Sequence, residues 1–321
     1  TGAINLSGGT VSCATLYVGR GGNGTFTQTG GSVTRNNAGG EWRIGGVEDW
    51  SPIAGTGVYN MQGGTLDTVG QNLQIGCSGR GTMNQTGGTV TCGGWPVVGR
   101  FYVGTGVYTL SGGTFNQTGS GNKLLIAENG TGTLTVKGSG VANLTGGLAI
   151  SSGDHKGNGG TGYVNLEPGG TINTPTVTTF DGARPSTLNF DGGVLRANGS
   201  SPVLSSFMSG LTTASIKERG ALIDSNGKTL TVAQNLTGSA LTGLLRHRWS
   251  FNGSLADSVG GQTATAVGTV NSSGTQYTLA GDGSRGSSYI DLGANILPND
   301  GVTPVTIELW ATENAVQKWS R

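Results

Sequence analysis

A phrase centred on a Gly-Gly pair recurs along the first two thirds of the chain and limits what the chain can fold into. Clear copies span residues 24–33, 57–66, 81–90 and 105–115, and weaker ones span 162–172 and 188–195. The pairs begin at positions 8, 30, 63, 87, 112, 169 and 192, and Lys137-Gly138 keeps the phase although it lacks the first glycine. Repeats of about 20 to 30 residues with insertions are typical of stacked architectures.

Each unit contains two apolar phrases with a period of two residues. One precedes the glycine pair, as in Tyr108 and Leu110, and the other ends in an apolar-x-apolar triplet followed by a small residue. The triplets begin at Leu16, Trp42, Leu73, Leu124 and Leu148. Period-two alternation indicates short strands with one buried face. No segment has the 3.6-residue period and the caps of a helix.

These features predict an all-β fold, a parallel β-solenoid (β-helix) in which three short strands and their corners make one coil. Glycine pairs supply the positive φ angles that sharp corners need. Since a coil advances by about 4.8 Å, about 8 to 10 coils would form a rod of roughly 40 to 50 Å. Thr, Asn and Gln at matching outward positions would stack into ladders. An antiparallel sandwich ranks lower, because it does not require a fixed phrase at a near-constant period.

The composition and net charge argue against nucleic acid and membranes as partners. The chain of 321 residues contains 64 glycines and 11% charged residues, and its formal net charge is +1. A near-neutral chain has no electrostatic footprint for nucleic acid or for an anionic membrane. No apolar run approaches the ~20 residues that span a bilayer, so we expect no membrane insertion.

The three cysteines occupy strand positions. Cys13 and Cys92 share one slot after a Gly-Gly-Thr-Val phrase, and Cys77 follows Leu73 and Ile75 with the spacing that would place it on their face. An odd count without a C-x-x-C pair argues against a metal site. We expect buried free thiols that behave as small hydrophobes. A disulfide to another chain is the weaker alternative.

Insertions between the units supply the candidate binding residues. In stacked repeats such insertions form loops, often on one binding face. Four aromatic residues are candidates for a platform that binds sugar rings, namely Trp50, Trp95, Phe101 and Tyr102. The alternative is structural: Trp42 fills the core slot that Leu occupies in other units, and Trp50 caps a loop.

The side chains that catalysis would need are sparse. Polysaccharide-cleaving β-helices need clustered acidic or basic groups on successive coils. Glu41, Glu48 and Asp49 lie within one unit, and no acid occurs at the same phase in its neighbours. The two histidines, His155 and His247, have no partner at a spacing typical of a catalytic triad or a metal site. The sequence therefore predicts no enzyme, no catalytic residue and no metal site.

The repeat phrase fades from about residue 197, and residues 221–234 read as two strands joined by an Asn-Gly turn. Terminal repeats are often atypical because they cap the stack. The Gly-Gly-Thr phrases and the ending at 224–234 resemble autotransporter-associated β-strand repeats, which occur in very large secreted or surface proteins of bacteria. The resemblance implies a β-solenoid over residues 1–240 and an extracellular or cell-surface location.

A second domain is expected over residues 243–321. Residues 245–261, 289–293 and 305–311 resemble the opening, edge and core strands of a laminin-G-like, concanavalin A-like jelly roll. That family folds as a two-sheet sandwich that often binds glycans, sometimes with calcium. A full domain needs nearly twice the residues present here, so the resemblance implies an incomplete antiparallel β-sandwich and transfers no binding residue. Calcium is the only cofactor that it leaves open.

A repeat architecture without a catalytic cluster predicts an extracellular structural or scaffold protein. The solenoid would act as a stalk or filament subunit that self-associates head-to-tail or edge-to-edge through open strand edges. A carbohydrate-binding adhesin is the first alternative, because of the aromatic residues and the jelly-roll segment. A polysaccharide-degrading β-helix enzyme is the second, although the stacked acidic or basic stripe that it needs is missing.

Overall fold

The computed structural model describes residues 1–36, 40–47, 55–101, 103–152, 159–180, 184–238, 247–280, 287–294 and 296–297. Across these residues the chain is all-β, and none of them forms a helix. The chain divides into two compact units, Thr1–Ser239 and Ala240–Arg321. The first is a parallel β-solenoid, as the repeat predicts, and the second contains small antiparallel sheets.

The strands of the first unit follow one another in sets of three, and each set makes one coil. The first three coils contain β1 (Gly2–Leu6), β2 (Thr10–Cys13), β3 (Leu16–Val18), β4 (Asn23–Gln28), β5 (Ser32–Arg35), β6 (Trp42–Ile44), β7 (Thr56–Met61), β8 (Thr65–Asp67) and β9 (Leu73–Ile75). The next three contain β10 (Arg80–Gln85), β11 (Thr89–Cys92), β12 (Pro96–Val98), β13 (Thr105–Leu110), β14 (Thr114–Gln117), β15 (Leu124–Ile126), β16 (Thr131–Val136), β17 (Val141–Leu144) and β18 (Leu148–Ile150). The last strands are β19 (Thr161–Leu166), β20 (Thr171–Thr174), β21 (Val177–Thr178), β22 (Ser186–Phe190), β23 (Val194–Ala197), β24 (Val203–Met208), β25 (Thr213–Ile216), β26 (Leu222–Asp224), β27 (Thr229–Val232) and β28 (Thr237–Gly238).

Corresponding strands of successive coils stack into three parallel sheets. Sheet A has ten strands and runs from β1 to β28 through every third strand. Sheet B has nine strands from β2 to β26, and sheet C has nine strands from β3 to β27. Neighbours pair in register, so that Gly81 lies between Gly57 and Gly106. The described residues thus form nine complete coils, within the predicted range of about 8 to 10.

Period-two alternation builds one continuous core along the solenoid. Met83 and Tyr108 pair in register and are both buried. Thr82 and Thr109, next to them on the same strands, remain partly exposed. Each large apolar side chain contributes roughly 1.5–3 kcal/mol when it is fully removed from water. Burial of such side chains between coils is therefore the main force that keeps the coils stacked.

The glycine pair forms the corner between sheets A and B, and the predicted positive φ angles are confirmed. Gly113 has a φ of 75°, and a Cβ there would overlap the carbonyl oxygen of Gly88 in the preceding coil. Glycine meets both conditions at low cost. At the corner between sheets C and A, the small residue after the triplet also has positive φ, as in Ala127 (67°) and Ser151 (70°).

The coils continue through the segment in which the repeat phrase fades. β26, β27 and β28 extend the three sheets, although no residue in them is buried. Asn226 and Gly227 have positive φ angles of 50° and 74°, as a tight Asn-Gly turn requires. This turn joins a strand of sheet B to a strand of sheet C, so it is a solenoid corner and not a hairpin turn.

The described residues of the second unit form two short antiparallel strand pairs. Its strands are β29 (Thr265–Val267), β30 (Val270–Ser272), β31 (Tyr277–Leu279) and β32 (Tyr289–Asp291). β29 pairs with β32, and β30 pairs with β31. An isolated bridge joins Trp249 to Asp257. The expected strand at 305–311 lies outside the described residues.

Candidate functional site

The outer face of sheet C is covered over five of its strands, β6, β9, β12, β15 and β18, whereas the outer faces of the other two sheets are not. Val97, Leu125 and Ala149, the middle residues of three sheet C strands, form an apolar cluster separate from the solenoid core. Outward residues of sheet A such as Thr109 and Thr135 are partly exposed. We call the covered region the C-face cluster, and its members are Glu41, Arg43, Asn72, Gln74, Trp95, Val97, Arg100, Leu125, Glu128 and Ala149.

The middle positions of sheet C form the floor of this cluster. They align in register across five coils and are 8, 1, 1, 1 and 0% exposed at Arg43, Gln74, Val97, Leu125 and Ala149. The first two floor residues are polar and the other three are apolar. The cluster therefore has a polar half and an apolar half.

Trp95 covers the apolar half. Its side chain packs against Val97, Leu125 and Ala149. The guanidinium carbon of Arg100 lies 5.8 Å from the centre of the Trp95 ring and 4.8 Å from that of Phe101. Contacts of this kind between a cation and an aromatic face are attractive. Arg100 therefore joins the apolar half to the charged residues beside it.

Glu41 is the hub of the polar half. Its carboxylate accepts hydrogen bonds from Arg43, from Nδ2 of Asn72 (2.8 Å) and from Nε2 of Gln74 (2.7 Å). Arg43 also donates from Nε to Oε1 of Gln74 (3.1 Å) and from Nη1 to the Tyr17 hydroxyl (2.8 Å). These bonds join three successive coils on one face.

Arg100 extends this network to a second carboxylate. Its Nη1 lies 3.5 Å from Oε2 of Glu41, and its Nε donates to Oε2 of Glu128 at 3.1 Å. The side chain of Glu128 is 0% exposed and that of Arg100 is 10% exposed. The two arginines balance the two glutamates in formal charge. Buried charges need such partners, since removing one partner leaves the other uncompensated.

The electrostatics of Glu41 do not suit a general acid. Burial alone would raise the pKa of its carboxyl, but hydrogen bonds from Arg43 and Asn72 and the charges of Arg43 and Arg100 outweigh burial and lower that pKa. Burial alone would likewise lower the pKa of Arg43, but Glu41 raises it. A general acid at neutral pH needs a raised carboxyl pKa. The cluster is therefore suited to fixing the coils against each other.

Only two of the four residues of the predicted sugar platform, Trp95 and Phe101, lie within the described residues. Trp95 is partly exposed and lies on the C-face cluster, whereas Phe101 is 5% exposed and faces Arg100. Trp50 and Tyr102 lie outside the described residues. The platform stays a prediction. Trp42 is 0% exposed in the core, in the slot that leucine occupies elsewhere.

Among the predicted ionisable candidates, Glu48, Asp49 and His155 lie outside the described residues. His247, in the second unit, has a partner that its spacing did not indicate: its Nδ1 lies 2.6 Å from Oδ2 of Asp257. Its ring also stacks on Trp249, with centroids 5.3 Å apart. Burial alone would raise the pKa of Asp257, but backbone N–H groups and His247 lower it.

The polar cluster residues that sequence reasoning missed are Arg43, Asn72, Gln74, Arg100 and Glu128. The available signal was the middle position of the apolar-x-apolar triplet, which is apolar at Leu125 and Ala149 but polar at Arg43 and Gln74. A row of outward positions that changes from polar to apolar is a sign of a covered face.

None of the three cysteines forms a disulfide within the chain. Cys77 and Cys92 are buried, as expected, whereas Cys13 is only partly buried, and Cys77 lies on a different face from the one predicted. Cys92 is buried in the core, and burial raises the pKa of its thiol to about 11. Cys77 was expected on the core face with Leu73 and Ile75, and that expectation is wrong. Its Sγ lies 3.1 Å from Oε1 of Gln74 on the outer face. The positive φ of 71° at Gly76 turns the chain and resets the alternation before Cys77.

The described residues hold no group of three or more His, Cys, Asp or Glu side chains that could bind a metal ion. Nor do they include a helix that is long and apolar enough to cross a membrane. Comparison with protein families, curated proteins and solved structures finds no match to this chain.

Proposed function

We propose that this chain is an extracellular structural scaffold, a β-solenoid stalk that adds length by pairing the end coil of one copy with that of another. The observation that carries the proposal is the stacking of three parallel sheets over nine coils, in register except for a shift between Leu204 and Met208 in sheet C. Each inner strand is paired on both sides, and one apolar core runs through the stack. Nine coils at about 4.8 Å each give the solenoid unit a length of about 43 Å.

The end coils supply the proposed contact between copies. Within the described residues, β1, β2 and β3 each have a neighbour on one side only. Ile4 in β1 is 53% exposed, and Leu6 and Val11 are only partly buried against the core. Unpaired strand edges beside exposed apolar side chains are templates for a further strand.

We propose that a second copy of the chain pairs with this open edge. Its last coil presents β26, β27 and β28, which are also paired on one side only among the described residues. Leu222 in that coil is 54% exposed. Contact between a first coil and a last coil is head-to-tail, and such contacts propagate as fibres unless they close into a ring.

The surface location rests on the resemblance to autotransporter-associated β-strand repeats. Antibody labelling of intact source cells tests it. We expect labelling before lysis, and a signal that needs lysis would contradict the proposed location.

The self-association is tested on the 321-residue chain. Light scattering after gel filtration and negative-stain microscopy, over a range of protein concentrations, should show linear particles that lengthen with concentration. Ile4→Lys places a charge on the edge and should reduce the assembled fraction at least fivefold. Thr91→Lys adds the same charge to the side of sheet B, in mid-stack, and should leave assembly unchanged. Monomers at every concentration, or equal losses in the two variants, would overturn the proposal.

A further inference from the structure

The outer face of sheet A is a long polar surface that the scaffold role does not use. Two adjacent columns of outward residues run along it, with one residue per coil in each column, beside a third outward column that contains the exposed Arg80. The first column is Ala3, Thr25, Val58, Thr82, Val107, Thr133, Tyr163, Thr187 and Thr213. The second is Asn5, Thr27, Asn60, Asn84, Thr109, Thr135, Asn165, Asn189 and Ser215. We call these two columns the A-face.

Neither column of the A-face contains a charged residue, although Arg80 is exposed at the neighbouring outward position, two residues before Thr82. Sheet B, on the same coils, has Asp67, Arg196 and Asp224 in its outward column. A partner that matches an uncharged face by electrostatic complementarity is itself uncharged. Nucleic acid and acidic polysaccharides are therefore poor fits, because both need cationic contacts.

Hydrogen bonds between coils hold the polar groups of the A-face in place. Nδ2 of Asn84 donates to Oδ1 of Asn60 at 3.0 Å, and Nδ2 of Asn189 donates to Oδ1 of Asn165 at 2.8 Å. Asn165 also donates to Oγ1 of Thr135 at 3.3 Å. Side chains that are already ordered lose little entropy when they bind. The face is thus preorganised for an extended, rigid partner.

The regular spacing of side chains on the A-face determines the spacing of binding groups that a partner must have. Neighbouring groups are about 4.8 Å apart along a column and about 6.6 Å apart between the columns, from strand spacing and rise. Threonine, asparagine and valine offer hydroxyl, amide and methyl groups at these points. Tyr163, 40% exposed in the first column, adds an aromatic ring with a polar tip. Polar groups with flat apolar patches suit sugar rings, which carry hydroxyls at their edges and C–H groups on their faces.

We propose that the A-face binds the surface of an ordered, uncharged polysaccharide. The ligand class is a crystalline, neutral sugar polymer, in which hydroxyl or acetamido groups also repeat at fixed intervals. Many weak contacts in register would give binding through multivalency. A stalk with this property would attach along its side, a role separate from end-to-end assembly.

Depletion assays on microcrystalline cellulose and on chitin test the proposal with the 321-residue chain. The double variant Thr82→Lys/Thr109→Lys places two long cations on the A-face, where contact with a neutral surface would desolvate them. The matched control, Thr89→Lys/Thr114→Lys, adds the same charges on sheet B in the same two coils. All four threonines are partly exposed. Thermal denaturation checks that both variants are folded.

We expect saturable binding of the unmodified chain to at least one of the two polymers. The A-face variant should bind at least tenfold more weakly, and the sheet B variant should bind within twofold of the unmodified chain. No binding to either polymer, equal losses in the two variants, or retention only on an acidic polysaccharide would overturn the proposal. The Ile4→Lys variant should bind the polymer as well as the unmodified chain does. A failure of end-to-end assembly can therefore be distinguished from a failure of A-face binding.

Discussion

The hydroxyl of Tyr59 donates a 2.7 Å hydrogen bond to Oε1 of Gln28 in the preceding coil. Nε2 of Gln28 in turn donates to the carbonyl oxygens of Gly31 (3.2 Å) and Thr65 (3.0 Å). Gln28 and Tyr59 are both 0% exposed. One buried amide therefore satisfies the carbonyl groups of the corner between sheets A and B and ties that corner to the next coil.

The same arrangement returns two coils later. Tyr108 donates to Oε1 of Gln85, whose Nε2 donates to the carbonyl oxygens of Gly88 (3.2 Å) and Thr114 (3.0 Å). A polar residue in an otherwise apolar column is costly unless all of its groups are paired. The repetition indicates that the Tyr–Gln pair fixes the register of successive corners.

Replacing Tyr59 with phenylalanine should test this pair. The variant keeps the ring and its stacking on Phe26 but leaves Oε1 of Gln28 buried without its donor. We expect the free energy of unfolding to fall by about 1–3 kcal/mol, measured by chemical denaturation. Tyr163→Phe is the control, because Tyr163 is 40% exposed on the A-face and should change stability by less than about 0.5 kcal/mol. Equal effects of the two substitutions would contradict the structural role.

Alkaline pH should destabilise the solenoid through buried acids that stay protonated when folded. Burial raises the pKa of the Tyr59 and Tyr108 phenols well above the ordinary value and that of the Cys92 thiol to about 11. In the unfolded chain these groups ionise near pH 10 and pH 8.5 respectively. Stability is thus fully present below those values and falls as pH rises, by up to about 1.4 kcal/mol per pH unit for each group.

Denaturation free energies measured from pH 7 to pH 11 check this dependence. The double variant Tyr59→Phe/Tyr108→Phe is less stable at pH 7 but should have a shallower slope above pH 10, because two of the titrating groups are gone. A stability that stays flat up to pH 11, or a slope that the double variant leaves unchanged, would count against buried protonated phenols.

The solenoid itself was predictable because local patterns repeat. The alternation around Tyr108 and Leu110 gives the strand and its buried face, and the phase of the Gly112-Gly113 pair gives the corner. Each copy repeats the same local constraint, so stacking follows without knowledge of long-range contacts. The Asn226-Gly227 turn was also visible, but its place between two sheets depends on the whole coil.

The C-face cluster was not predictable from the same patterns. Arg100 meets Glu128 from 28 positions away and Glu41 from 59 positions away, through coil stacking and insertions. Alternation predicts that Arg43 and Gln74 point outward, but it does not reveal that this outer face is covered. Cys77 shows a second limit of prediction from alternation. A single positive φ at Gly76 reverses the face on which the following side chains lie.

Glu128→Gln should show what the buried charges contribute. The change removes the carboxylate charge beside Arg100, whose side chain is only 10% exposed. Removing one partner of a buried ion pair typically costs about 3–5 kcal/mol. Because Glu41 remains 3.5 Å from Arg100, we expect a smaller but clear fall in the denaturation midpoint. Glu167→Gln is the control, because its carboxylate lies 3.9 Å from Lys137 with side chains 35% and 45% exposed. Surface pairs of this kind contribute about 0–1 kcal/mol.

A second variant separates charge from packing at the same position. Arg100→Met/Glu128→Leu replaces both charged groups with apolar side chains of similar length. If the loss in Glu128→Gln arises from the weaker charge compensation of Arg100, the double variant should recover much of it. A double variant that is as unstable as the single one would show that the hydrogen-bond geometry, and not the charge, holds this face.

Substitutions of glycines allow the energetic cost of a positive φ to be measured separately from the cost of steric overlap at a corner. Gly113→Ala combines a φ of 75° with overlap of the new Cβ and the Gly88 carbonyl oxygen. Gly220→Ala has a φ of 80° but no atom within 4 Å of the added carbon, and Gly121→Ala has open space and no positive φ. Positive φ alone costs about 1–2 kcal/mol, so Gly220→Ala should lose about that much and Gly121→Ala should lose almost nothing. Gly113→Ala should lose distinctly more than Gly220→Ala in chemical denaturation. Equal losses in these two variants would mean that contact between successive corners does not hold the register of the coils.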